Sequence, residues 1–87
     1  MEITRGQIVR SCAGRDGGTF YVVLELQGNF ALIADGKLRK AEKPKRKSLK
    51  HLKNTHTVVE LDNLTNRKLR NVLSGFQEGE VLTTEES

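Results

Sequence analysis

Gly6-Gln7-Ile8-Val9-Arg10-Ser11-Cys12-Ala13-Gly14-Arg15-Asp16-Gly17-Gly18-Thr19-Phe20-Tyr21-Val22-Val23-Leu24 is the stretch of this 87-residue chain on which the fold turns. Gln7 to Ala13 reads as a strand, and Gly14 to Gly18 as a turn rich in residues that tolerate positive φ. Thr19 to Leu26 reads as a second strand. Its alternation puts Phe20, Val22, Leu24 and Leu26 on one face and Thr19, Tyr21, Val23 and Glu25 on the other, the first being the predicted core face.

Outward from this hairpin the pattern continues. Gln27-Gly28-Asn29 is a second turn, Phe30 to Ala34 a third strand, and Asp35-Gly36 a hairpin signal leading into a strand over Lys37 to Lys40. Ala41 to Lys47 holds the only proline, Pro44, among charges, which predicts a loop or an edge rather than a central strand. Ser48 to Leu52 reads as one helical turn capped by Ser48, and Thr55 to Val59 as a closing strand. Beyond it, Leu69, Val72, Leu73 and Phe76 recur at helical spacing, with Thr65 as cap and Gly75 as stop. A helix this short requires docking to persist. Its apolar stripe is expected to face the core, a dimer or partner surface being the alternative. The organisation is thus 1–60 for the β domain, 61–76 for a helical extension and 77–87 for an acidic, disordered tail.

Composition narrows the chemistry. With 36% apolar residues in 87, one compact domain is the expectation. A single cysteine and two histidines exclude an internal disulfide and any Cys-x-x-Cys zinc site, so no cofactor is expected. No run is apolar enough to span a bilayer and the amino terminus does not read as a signal peptide, which predicts a cytoplasmic protein with no membrane partner.

The net charge of +4 is unevenly distributed. Residues 1–53 carry 12 Lys/Arg against 5 Asp/Glu, a balance of +7; residues 54–87 carry 3 against 6, a balance of −3. Nine bases lie between Lys37 and Lys53 (Lys37, Arg39, Lys40, Lys43, Lys45, Arg46, Lys47, Lys50, Lys53) against one acid, Glu42. Brought onto one surface, they would repel one another unless solvated or paired with an anion, and phosphate is the anion a polynucleotide supplies. A plain solvated face is the alternative reading. Phosphate contacts position without reading sequence, so base preference would come from RNA shape or from stacking on planar groups such as Arg15 or Tyr21, although a tyrosine within a strand is more often packed with its hydroxyl at the surface.

The glycines at 6, 14 and 18, with Ile8-Val9 after the first and Val22-Val23 after the last, resemble the KOW motif. The resemblance runs on through Ala13-Gly14-Arg15, Ala31-Leu32-Ile33, Asp35-Gly36, Arg39-Lys40, Lys45-Arg46-Lys47 and His51-Leu52 with Thr55, covering about Arg5 to Thr55. Together these are similar to KOW-domain large-subunit ribosomal proteins of archaea and eukaryotes and to small bacterial KOW-domain RNA-binding proteins. The resemblance implies an all-β fold, a five-stranded SH3-like barrel, and binding to structured RNA, commonly ribosomal RNA, with ribosomal proteins as further partners. It places the Gly14 to Gly18 loop on the backbone of the RNA, with Arg15 reaching a phosphate. From His56 onward the chain departs from the ribosomal pattern.

The candidate nucleic-acid-binding residues are therefore Arg10, Gly14, Arg15, Lys37, Arg39, Lys40, Lys43, Lys45, Arg46, Lys47 and Lys50. Cys12, in an apolar strand, reads as a buried thiol. With His51 or His56 it could be imagined as a nucleophile and base, but no third orienting group or oxyanion site accompanies them, so neither an enzyme nor a small-molecule substrate is expected. A protein-interaction module of the SH3-like kind, docking through the C-terminal helix, is the alternative from another class. Charge alone also leaves duplex DNA open.

Overall fold

In the computed structural model, which describes residues 3–12 and 18–75, five antiparallel strands form one sheet in the order β4-β3-β2-β1-β5. These are β1 (Gln7–Ser11), β2 (Phe20–Gln27), β3 (Phe30–Ala34), β4 (Lys45–Ser48) and β5 (Leu52–Val58). A 3-10 turn at Leu49–His51 joins the last two, and a C-terminal helix, α1, covers residues 66–75. The class is all-β. Ala13 to Gly17, Phe76 and the segment 77–87 lie outside the described residues, and with them Gly14 and Arg15.

The β2–β3 hairpin forms where turn chemistry predicts. Gln27 pairs with Phe30 across Gly28 and Asn29, with Gly28 at φ +59. The strand expected over Lys37 to Lys40 does not form. The Asp35 carboxylate accepts the amides of Lys37 and Arg39, each at 2.9 Å, while the Arg39 carbonyl accepts the amides of Asp35 and Gly36. Local side-chain bonding thereby takes the backbone groups that a ladder would need. The fourth strand is instead Lys45–Ser48, which starts just after Pro44 and lies at the sheet edge, where a missing amide does little harm. Its turn starts at Ser48 as expected, but the Ser48 side chain makes no capping bond.

Both faces of the central strands are buried. Phe20, Val22, Ile8 and Ala34 pack with Leu69 and Leu73 of α1, whereas Tyr21, Val23, Val9, Ala31, Ile33 and Leu52 form a second cluster. The expected division of β2 into a core face and an outer face is corrected accordingly. Leu26, placed on the core side by alternation, is exposed at 37%, because a bulge between Val23 and Glu25 shifts the register of the strand's far end. A second bulge lies in β5. Val9 faces Asn54 and Gln7 faces Val58, so β5 advances four residues while β1 advances two. His56 stands there at φ 67, its amide donating to Asn54 Oδ1, and the Thr55 hydroxyl donates to the Ile8 carbonyl at 2.6 Å.

The helix begins as read from sequence. Thr65 Oγ1 accepts the Lys68 amide at 3.1 Å, the N-cap bond. Ten helical residues are marginal alone, but full burial of a leucine contributes roughly 1.5–3 kcal/mol, and α1 buries Leu69 and Leu73 while Val72 stays 36% exposed. The stripe thus faces the core through two of its members. Leu69→Ala is expected to cost about 2–5 kcal/mol in chemical denaturation and Val72→Ala under about 1 kcal/mol. Equal losses would mean that the helix docks by another face.

Gly36 shows how tightly the helix meets the β3–β4 connection. It sits at φ +79, and a Cβ there would overlap the Asn66 carbonyl oxygen and lie 2.9 Å from the Leu69 Cβ. Gly36→Ala therefore combines backbone strain with a clash against backbone, and is expected to lower stability by about 2 kcal/mol or more, read as a drop in the denaturation midpoint.

Candidate nucleic-acid interface

The β3–β4 connection carries the densest charge, and the fold fixes its backbone from three sides. Asp35, itself buried, holds the amides of Lys37 and Arg39. Arg70 Nη1 of α1 donates to the Gly36 carbonyl at 2.8 Å. Asn66 at the start of α1 accepts the Ala41 amide through Oδ1 at 2.8 Å and donates through Nδ2 to the Glu42 carboxylate at 2.9 Å. The loop is braced, and its side chains point outward: Lys37, Arg39, Lys40 and Lys43 are all exposed, with Leu38 at 86%. A groove of about 500 Å³ separates this loop from α1, lined by Phe20, Asp35, Lys37, Leu38, Arg70 and Leu73 among others.

Glu42, the sole acid among the nine bases, is engaged by α1. The Asn66 hydrogen bond holds its carboxyl below the usual carboxylate range, helped by a local backbone bond and by the charge of Lys40. A lowered folded-state pKa means that this link contributes above the ordinary glutamate range and is lost as pH falls through the lowered value.

On β4 the three consecutive bases cannot share a face, because strand side chains alternate. Lys45 is opposite Ile33 and Lys47 opposite Ala31, so both lie on the side of the second core cluster, half-buried. Arg46 is opposite Leu32 on the other side, exposed, with its guanidinium carbon 4.1 Å from the centroid of the half-buried Phe30 ring. Lys50 follows on the 3-10 turn and is exposed. The connection between turn and hairpin is fixed by the Leu49 amide donating to the Asn29 carbonyl at 2.9 Å.

Arg10 stands apart from this group. It pairs in register with Phe20 and with Lys53, its guanidinium carbon 6.0 Å from the Phe20 centroid, and the strand order places β2 and β3 between it and β4. The sequence-predicted set thus divides into a braced loop (Lys37, Arg39, Lys40, Lys43), an edge strand with its turn (Lys45, Arg46, Lys47, Lys50) and Arg10 apart from both, in register with Lys53, a base outside that set. Gly14 and Arg15 fall outside the described residues.

One side-chain reading holds and one changes. Tyr21 is 3% exposed in the second core cluster and offers no face to a base. Cys12 is exposed rather than buried, since it follows the last residue of β1, where its amide donates to the His51 carbonyl and its thiol to the Arg10 carbonyl at 3.7 Å. Sequence reasoning also passed over Phe30, whose proximity to Arg46 depends on the β3–β4 register, and Asn66 and Arg70, whose partners lie 24 or more residues away. Among the described residues no group of three or more His, Cys, Asp or Glu could hold a metal ion, and no helix is long and apolar enough to cross a membrane. No protein-family model matches the chain, and no curated protein matches it.

Proposed function

We propose that this chain is a non-enzymatic RNA-binding protein of the KOW type, an SH3-like barrel that meets the phosphate backbone of structured RNA through the braced loop and edge strand. A ribosomal RNA in the cytoplasm is the setting that the sequence resemblance favours. One observation carries the reading. Lys37, Arg39, Lys40 and Lys43 of the loop, with Arg46 and Lys50 beyond it, are all exposed, while the single acid among them is bound by Asn66. A polyanion gains from such a surface, because each phosphate contact releases condensed counterions. The bracing of the loop adds to this, since its backbone has little conformational freedom left to lose on binding.

If about five bases meet phosphates, the logarithm of the binding constant should fall with the logarithm of salt at a slope of roughly −3.5 to −4.5. A fourfold rise in salt then weakens binding on the order of 10²-fold, measured by fluorescence anisotropy on a structured RNA. Affinity that ignores salt would sink the proposal, and stronger binding to a matched DNA duplex would redirect it. Reversal of Lys37, Arg39 and Lys43 to Glu should lower affinity at least about 10-fold without moving the unfolding midpoint, because all three side chains are exposed. These positions suit the test better than Lys45 and Lys47, whose half-buried stems would mix stability with binding.

A further inference from the structure

Arg46 lies over the ring of Phe30. At 4.1 Å from the ring centroid, the guanidinium carbon is in van der Waals contact with the face of the ring, not merely near its edge. The ring is half-buried at the start of β3, anchored by the two-residue turn before it, and Arg46 itself is exposed. A guanidinium resting on an aromatic face presents a second flat face outward and keeps its N–H donors in the plane between. Lysine has neither property.

We propose that Arg46, laid on Phe30, is a stacking platform for an unpaired nucleobase. The inference rests on the RNA-binding reading and supplies what phosphate contacts cannot, a point where a base is touched. An isolated surface arginine would surrender much of its rotamer freedom on stacking with a base. On Phe30 that ordering is already in place, so the stack forms on a prepared plane. The neighbours fit a small flat ligand. In register around Phe30 stand Gln27 and Ser48, both polar and able to hydrogen-bond a base edge, and Lys50 follows Ser48 by two residues on an exposed turn. A paired base inside a duplex has no free face to offer. The platform accordingly selects loops, bulges or single strands over continuous helix.

The test uses the full chain with two RNAs: a hairpin carrying 2-aminopurine in its loop, and a duplex of the same length without a loop. Wild-type protein should quench the 2-aminopurine on binding. Arg46→Lys, which keeps the charge and removes the plane, should weaken binding to the hairpin roughly fivefold or more, the lower end of what loss of one stacked base costs. It should also lose the quench, and its affinity for the duplex should fall by less than its affinity for the hairpin. Phe30→Leu should act in the same direction, and the double variant should be no weaker than the weaker single, because the two residues form one platform. Thermal unfolding of Arg46→Lys serves as the folding control. Wild-type affinity and quench in Arg46→Lys would overturn the platform while leaving salt-dependent binding intact, and so would an effect of Phe30→Leu with none of Arg46→Lys. Wild-type protein that binds neither RNA would overturn the RNA reading and this inference with it.

Discussion

The structure depends on one constraint: the central strands are apolar on both faces, and neither face can be left to water. Phe20, Tyr21, Val22 and Val23 follow one another in β2, and all four are buried, two toward each core cluster. One cluster is assembled within the sheet and its flanking 3-10 turn. The other needs a cover, which α1 supplies through Leu69 and Leu73. Once the helix is seated there, its first turns lie against the β3–β4 connection, and Asn66 and Arg70 take up that loop's free backbone groups. The braced basic loop is thus a consequence of how the second face is covered.

That dependence explains what could and could not be read from the sequence. Strand positions followed from glycine punctuation and apolar runs, because turns and burial act locally. Phe30–Ala34 is the clearest case, with a turn on each side. The Asp35-Gly36 signal is legible as a reversal, but not as the opening of a braced loop in place of a strand over Lys37 to Lys40. Whether Asp35 caps its own loop or yields to a ladder depends on Arg70 and Asn66, more than 30 residues later. Equal burial of both β2 faces was hidden for the same reason. The run Phe20 to Leu24 is too apolar for a half-exposed strand, yet only a docked helix makes a second buried face possible.

The candidate site was legible in composition and not in layout. The density of bases from Lys37 to Lys53 is a property of sequence, whereas their separation onto two sides of β4 requires the strand that Lys45–Ser48 forms. The same alternation that divides Lys45 and Lys47 from Arg46 sets Arg46 beside Phe30. Tyr21 and Cys12 show the converse, since alternation alone sets Tyr21 away from the core and its apolar neighbours alone set Cys12 within it. Tyr21 had a second core to enter; Cys12 lay just beyond the last paired residue of its strand.

Division of the charge also bears on what kind of recognition the surface can support. Long lysine side chains on a fixed loop keep their mobility at the tip, so they follow a phosphate path of varied shape and contribute attraction with little discrimination. A guanidinium stacked on a ring, as proposed for Arg46 on Phe30, would give up that mobility and present one plane in one place. Under the RNA reading, these are separate tasks on one connection of the sheet: attraction at the loop end, where Gly36 meets α1, and selection at the hairpin end, where Phe30 begins β3. Five residues of extended strand, at ~3.3 Å each, separate the two ends. That span exceeds the spacing of adjacent nucleotides, so a partner using both must lay several nucleotides of backbone along β4. A single exposed base, or a phosphate alone, could occupy only one end.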